Sequence, residues 1–303
     1  MNMAATPMET DAGAVASPAL KPPHPLDMIR TPGFPMFLAM SAAVLFLFQS
    51  LMVVLPGIWF KAESYYSHGI LIPLIVAVMV RNKWHRLQAI PRQGSWWPFV
   101  FLAPVLYITW VASRTSMALT LSFLLVATIG LAIWSICGWK MAMATSPMWL
   151  YLLFGLPVWQ LVIDKFTQPL QNISAKVSFE LLKLMGQNML QADSTTILLD
   201  RFEMNVGAPC SGLRTLLSLI ALTAFFIYIA KLPWYANTFL AVFMIPFGIL
   251  INGVRIAMIG LVGNTYGSEA GHQFHDYSGY ISTLLCVFIL MKICEALGWK
   301  GLE

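Results

Sequence analysis

The sequence predicts an all-α polytopic membrane protein of about eight transmembrane helices, with an amphipathic outer-face helix and a short β-hairpin before the sixth span. Three observations predict it. Hydrophobic residues make up 58% of the 303 residues and charged ones only 10%, against roughly 25% charged in a soluble domain. The apolar residues gather into runs that approach the roughly 20 residues a helix needs to cross a hydrocarbon core. Lys and Arg stand singly in the gaps between those runs, as topology determinants do.

Taken in order, residues 1–33 carry Pro18, Pro22, Pro23 and Pro25 with few large apolar side chains, and read as a disordered cytoplasmic leader. They lack the basic, apolar, small-residue order of a signal peptide, so the first span stays as an anchor. Residues 34–297 form one transmembrane domain, with spans near 34–55, 69–80, 96–113, 117–137, 141–157, 211–230, 235–257 and 278–297. The second and fifth are short, so seven spans is the alternative. Residues 298–303 are a cytoplasmic tail. Arg81, Lys83, Arg86 and Arg92 form the densest basic loop, and placing it inside puts both termini in the cytoplasm.

The outer face then receives residues 158–210, too long for a simple turn. Within 166–190, Leu170, Ile173, Val177, Leu181 and Leu184 recur at steps of three and four, the pattern of an amphipathic helix on the outer leaflet. Thr195 to Val206 is β-prone with a polar break at Asp200-Arg201 and reads as a hairpin leading into Ala208-Pro209-Cys210.

The net charge of +5 does not indicate a nucleic-acid partner, because the basic residues form no dense stripe with interleaved aromatics. Of four cysteines, Cys137, Cys286 and Cys294 lie inside apolar runs and read as small buried hydrophobes. Cys210 stands at the edge of a run.

Three polar groups mark the outer ends of spans. In the first, Ala208-Pro209-Cys210-Ser211-Gly212-Leu213-Arg214, Pro209 suits a helix start. Cys210 would then sit in the first turn, where free N–H groups and the helix dipole favour a thiolate, with Arg214 one turn deeper on the same face. An inert capping cysteine with a snorkelling arginine is the competing reading. In the second, Asn252-Gly253-Val254-Arg255, an arginine among isoleucines costs about 2.5–3.5 kcal/mol at a bilayer centre. Such residues mark function, and Asn252 beside it argues against a mere interfacial anchor. The third holds His272, His275 and Asp276. The histidines could bind a metal with Cys210, given a fourth ligand, could serve as base and acid, or could be plain interfacial polar residues. A thiol, an imidazole and a guanidinium are together the parts for acyl transfer. HExxH, GxGD and GxSxG are absent.

Those three blocks, the third running His275-Asp276-Tyr277-Ser278-Gly279-Tyr280, resemble the signature blocks of exosortases and archaeosortases. Tyr66-Ser67-His68-Gly69 followed by Leu71-Ile72-Pro73 is similar to the family's N-terminal outer-loop motif, so the likeness covers roughly residues 36–297. Pro209 departs from the small or acidic residue usual before the cysteine. The resemblance implies a bacterial inner-membrane cysteine transpeptidase with its site on the periplasmic side. Its partners would be exported proteins whose C-terminal sorting signal comprises a short motif of the Pro-Glu-Pro kind, one transmembrane helix and a basic cluster. It implies Cys210 as nucleophile, Arg255 as essential arginine and His275 as third member. The archaeal branch has arginine at that third place, so His275 points to the bacterial branch. Arg214, Asn252, His68, Ser211, His272 and Asp276 are expected to support the site or bind substrate. No cofactor or metal is expected; membrane lipid is the surrounding partner, and the acceptor, amine or glycolipid, is left open. The competing function is a transporter or lipid-handling protein whose arginines hold an anionic head group.

Overall fold

A computed structural model describes residues 42–61, 64–115 and 117–301. The expected leader 1–33 and the start of the first span lie outside the described residues. The helices are α1 (Gln49–Phe60), α2 (Ile72–Asn82), α3 (Trp84–Gln88), α4 (Trp97–Arg114), α5 (Ala118–Cys137), α6 (Trp139–Tyr151) and α7 (Gln160–Leu184). A sheet of β1 (Met189–Gln191), β2 (Thr196–Leu199) and β3 (Glu203–Asn205) follows. Then come a 3₁₀ turn (Ala208–Ser211), α8 (Leu213–Ala230), α9 (Trp234–Tyr266) and α10 (Ser268–Ala296).

The chain is a mostly helical, multi-pass membrane protein. Among the described residues, α4, α5, α8, α9 and α10 are long and apolar enough to cross a membrane. α6 with α7 makes a sixth if the pair, bent by 58°, is one broken span. α1 and the stretch 69–82 are shorter apolar helices. Among the described residues, five or six spanning helices and two shorter apolar ones thus stand at the eight expected positions, of which the second and fifth are expected to be short.

The hairpin is present and larger than expected. β1, β2 and β3 form an antiparallel meander in which Met189 faces Leu199 and Thr196 faces Asn205. The Asp193 carboxylate closes the first turn by accepting from Thr195 N–H at 2.7 Å, Thr196 N–H at 2.7 Å and Thr196 Oγ1 at 2.9 Å. These donors hold its pKa below the usual carboxylate value. Phe202, Met204 and Val206 turn one face of the sheet onto Ala175 and Leu182 of α7 and Ile256 and Ile259 of α9. That shared cluster anchors the outer sheet to the helices.

α7 begins at Gln160 and ends at Leu184, so residues 189–190 are strand rather than the end of the expected amphipathic helix. Its buried stripe also differs. Leu170 is buried, but Ile173 is 44% and Leu184 83% exposed, while Ser174, Ala175, Ser178 and Leu182 face inward. The reason is the partner. α9 presents Gly253, where a side chain would strike Val177 of α7, so the two backbones approach closely and select small residues.

α9 runs on through residue 266, past the expected end at 257. Its 33 residues span about 50 Å at 1.5 Å per residue, well beyond the roughly 30 Å core. The turn to α10 is made by Gly267 alone, with φ 97°, so the histidine block lies on the first turns of a helix and not on a loop. Close packing of Gly263 and Gly271 against Phe202 ties this corner to the sheet: a Cβ on Gly263 would lie 2.6 Å from the Phe202 ring.

Candidate active site

Cys210 does not open the sixth span as the sequence suggests. It sits in the separate 3₁₀ turn Ala208–Ser211, which has Pro209 in its first positions. Gly212 at φ 80° breaks the path before α8 starts at Leu213. Any other residue there would be strained and would collide with Asn252, whose Cγ lies 2.6 Å from where a Cβ would stand. The Cys210 N–H is donated to Gly207 O at 2.9 Å. Cys210's own N–H is therefore not among the free N–H groups of a helix first turn, and Cys210 and Arg214 do not share one helical face.

The turn is held from two helices. Asn252 Nδ2 of α9 donates to Cys210 O at 2.9 Å and to Ser174 Oγ at 3.0 Å. Ser174 Oγ of α7 donates to Ser211 O at 3.2 Å. One turn along, Ser178 Oγ bonds Ser174 O at 2.6 Å and Gly253 O at 3.2 Å. All four side chains (Ser174, Ser178, Ser211 and Asn252) are buried, where each hydrogen bond is costly to leave unmade. Ser174 and Ser178 escaped the sequence reading, since a serine on a half-polar helix carries no local signal. From outside, the Tyr65 hydroxyl donates to Ala208 O at 3.3 Å.

Across from the turn, α10 brings His275. Cys210 Sγ and His275 Nε2 are 3.0 Å apart. His275 Nδ1 lies 3.3 Å from Asp276 Oδ1, on an exposed carboxylate. Since a carboxylate only accepts, Nδ1 carries the proton in this arrangement and Nε2 is free to take one from the thiol. Four residues further along α10, Gly279 is the meeting point of two guanidinium groups. A Cβ there would stand 3.1 Å from Arg214 Nη2 and 3.6 Å from Arg255 Nη1. Arg255 is buried at 7% exposure and close enough to His275 to act on it electrostatically. Along α10, the thiol–imidazole contact thus lies about one helical turn, some 5 Å, from the point where the two guanidinium groups meet.

A cavity of about 170 Å³ opens on the thiol and is lined by Cys210, His275, His272, Ile256, Ile259 and residues 202–206. His272 packs edge-on against Phe202, with ring centroids 5.9 Å apart. Among the described residues no three of His, Cys, Asp and Glu converge to hold a metal ion.

His68 is not part of this cavity. It lines a second one of about 580 Å³ between α2, α8 and α10, on the far side of Arg214 and Gly279. There Nε2 faces Phe154 O at 3.1 Å and Nδ1 faces Ser218 Oγ at 3.1 Å. Because a carbonyl can only accept, Nε2 carries the proton. Burial also pushes the His68 pKa below the usual imidazole value, favouring the neutral ring.

With this geometry in hand, the comparison with known families is decisive. The transmembrane exosortase model matches residues 59–292 of the 303. The chain belongs to the transmembrane exosortase family. The matched region of this exosortase runs from the end of α1 to near the end of α10 and takes in all four blocks and both cavities. No curated protein and no solved structure shows significant similarity to it.

Proposed function

We propose that this exosortase is a membrane-embedded cysteine transpeptidase that cleaves C-terminal sorting signals from exported proteins through a thioester. The observation that carries the reading is the 3.0 Å approach of Cys210 Sγ to His275 Nε2, made between residues 65 positions apart. In the proposed reaction His275 takes the thiol proton and the sulfur attacks the scissile carbonyl. The amide C–N bond breaks as the same imidazole returns the proton to the leaving amine. Arg255, with Arg214 beside it, offers planar donors to the oxyanion or to the substrate main chain next to it. Water or an amine then attacks the thioester and frees the sulfur. Asp276 supports the tautomer of His275, while Asn252 and Ser211 belong to the mount of the nucleophile. The basic loop Arg81–Arg92 argues for an inner-membrane protein with cytoplasmic termini and the thiol facing the periplasm.

The test is co-expression with a candidate tail-bearing protein and mass spectrometry of its C-terminus. Wild type is expected to yield a new, shortened C-terminus, and Cys210→Ala none, at equal membrane abundance. Processing by Cys210→Ala at the normal rate would remove the nucleophile.

A further inference from the structure

The chemistry above uses the turn, α9 and α10, and leaves β3 without a task. The hydrogen bonds Val206 N–H to Thr195 O and Leu199 N–H to Phe202 O, both 2.9 Å, set the bonded pairs of the β2–β3 ladder. Met204 opposite Ile197 lies midway between them. Antiparallel ladders alternate, so the main-chain groups of Phe202, Met204 and Val206 face β2 and those of Glu203 and Asn205 face away. β3 is the last strand of the sheet. Asn205 O accepts from Gly207 N–H at 2.9 Å. The N–H and C=O of Glu203 and the N–H of Asn205 have no protein partner among the described residues.

This open edge borders the thiol. Every residue from 202 to 206 lines the 170 Å³ cavity, whether its side chain points to the core or to solvent, which is how an edge and not a face meets a cavity. Asn205 runs through Val206 and the extended Gly207 directly into the turn that carries Cys210.

Resting on the cysteine-transpeptidase reading, we propose that an extended segment of the substrate adds to β3 as a fourth strand. Its main chain bonds Glu203 and Asn205, and its continuation lies across the Cys210 sulfur. Two N–H groups and one C=O in strand register are complementary to an extended peptide and to little else. A helix has already satisfied its own main chain. An anionic head group would meet Glu203 and no Lys or Arg in this lining. Strand addition fixes register through the main chain alone. It therefore delivers one chosen carbonyl to the sulfur at the short, aligned distance that acyl transfer needs.

The test uses the full chain in lipid nanodiscs and thiol-directed probes. These are acetyl-tetraalanyl chloromethyl ketone, its four single N-methyl versions, the one-alanine ketone, and chloroacetamide as a probe without a peptide. The rate of Cys210 alkylation, with chloride displaced by sulfur, is read by mass spectrometry. The tetrapeptide is expected to react faster than the one-residue ketone. N-methylation of the one residue whose N–H meets Glu203 O should slow it roughly three- to tenfold, the worth of one hydrogen bond, with the other three nearly silent. Asn205→Pro, which deletes an N–H that β2 does not use and is tolerated at such an edge, should cut the length dependence roughly three- to tenfold, the worth of one bond, while chloroacetamide reacts as before. Asn205→Ala should keep the length dependence. Equal rates for long and short ketones, or N-methyl effects spread evenly over the four residues, would overturn the strand. If Asn205→Pro also slows chloroacetamide, the N-methyl pattern on wild type decides alone. A Cys210 no more reactive to chloroacetamide than Cys137 would instead count against the nucleophile reading itself.

Discussion

Asn252 is the residue through which α7 and α9 hold the nucleophile, and removing its donors is expected to cost catalysis more than folding. Asn252→Ala deletes the bonds to Cys210 O at 2.9 Å and to Ser174 Oγ at 3.0 Å. At about 0.5–1.5 kcal/mol per hydrogen bond, the two are worth about 1–3 kcal/mol. If that energy orients the turn for attack, the rate falls roughly 5- to 150-fold, since 1.36 kcal/mol is a factor of ten. The turn itself should survive, because Ser174 still reaches Ser211 O, Cys210 N–H still reaches Gly207 O and Tyr65 still reaches Ala208 O. Asn252→Asp keeps the volume and exchanges the donor for an acceptor facing two oxygens, so its loss should equal or exceed that of Asn252→Ala. The assay is single-turnover processing of a tail-bearing substrate at matched membrane levels, with thermal stability measured in parallel. Both variants within about twofold of wild type, while Cys210→Ala is inactive, would refute a positioning role worth even one such bond.

Arg255→Lys is expected to lose nearly as much processing as Arg255→Ala, because a point charge cannot replace a planar fork. Arg214→Lys should be milder, and equal mild effects at both would count against a defined role for Arg255. His275→Ala should be inactive and His272→Ala only impaired, since the imidazole at 3.0 Å from sulfur is that of His275 and His272 lies against Phe202; the reverse order in the same assay would require another base. Gly279→Ala puts a methyl 3.1 Å from Arg214 Nη2, a few tenths of an ångström too near. The flexible guanidinium can retreat, so membrane levels should hold while processing drops by roughly tenfold or less, and Gly279→Val, with more atoms between the forks, should be worse. Full activity in Gly279→Val would show that the convergence of the two arginines is not used.

Much of the architecture is legible in the chain alone because its causes are local. Hydropathy selects helices wherever a main chain must satisfy itself in lipid, and this picks out α4, α5, α8, α9 and α10. The β-prone stretch from Thr195 to Val206, with its polar break at Asp200-Arg201, announces a hairpin ahead of Cys210. An arginine among isoleucines, a cysteine at the edge of a run and a histidine pair are conspicuous because each is costly or rare where it stands. Element ends are less legible. α9 continues through Asn264 and Tyr266 where hydropathy fades, because Gly263 packs on Phe202 and keeps the end of the helix supported against the sheet.

What only the tertiary structure decides is which of those residues meet. Periodicity says which face of a helix is apolar, but not which neighbour that face will find. The neighbour depends on the close helix approach at Gly253 and on the space Gly279 leaves for two guanidinium groups, both distant in sequence from what they admit. That approach turns Ser174 and Ser178 from ordinary helix serines into bonds on Ser211 and Gly253, and leaves Ile173 facing outward. Gly212 separates Cys210 from the helix dipole it was expected to use, and His68 falls to a different cavity from the thiol. Composition and local pattern specify the chemical groups and the medium they occupy. Their distances come from packing between spans, where a few tenths of an ångström at Gly279 separate a contact from a collision.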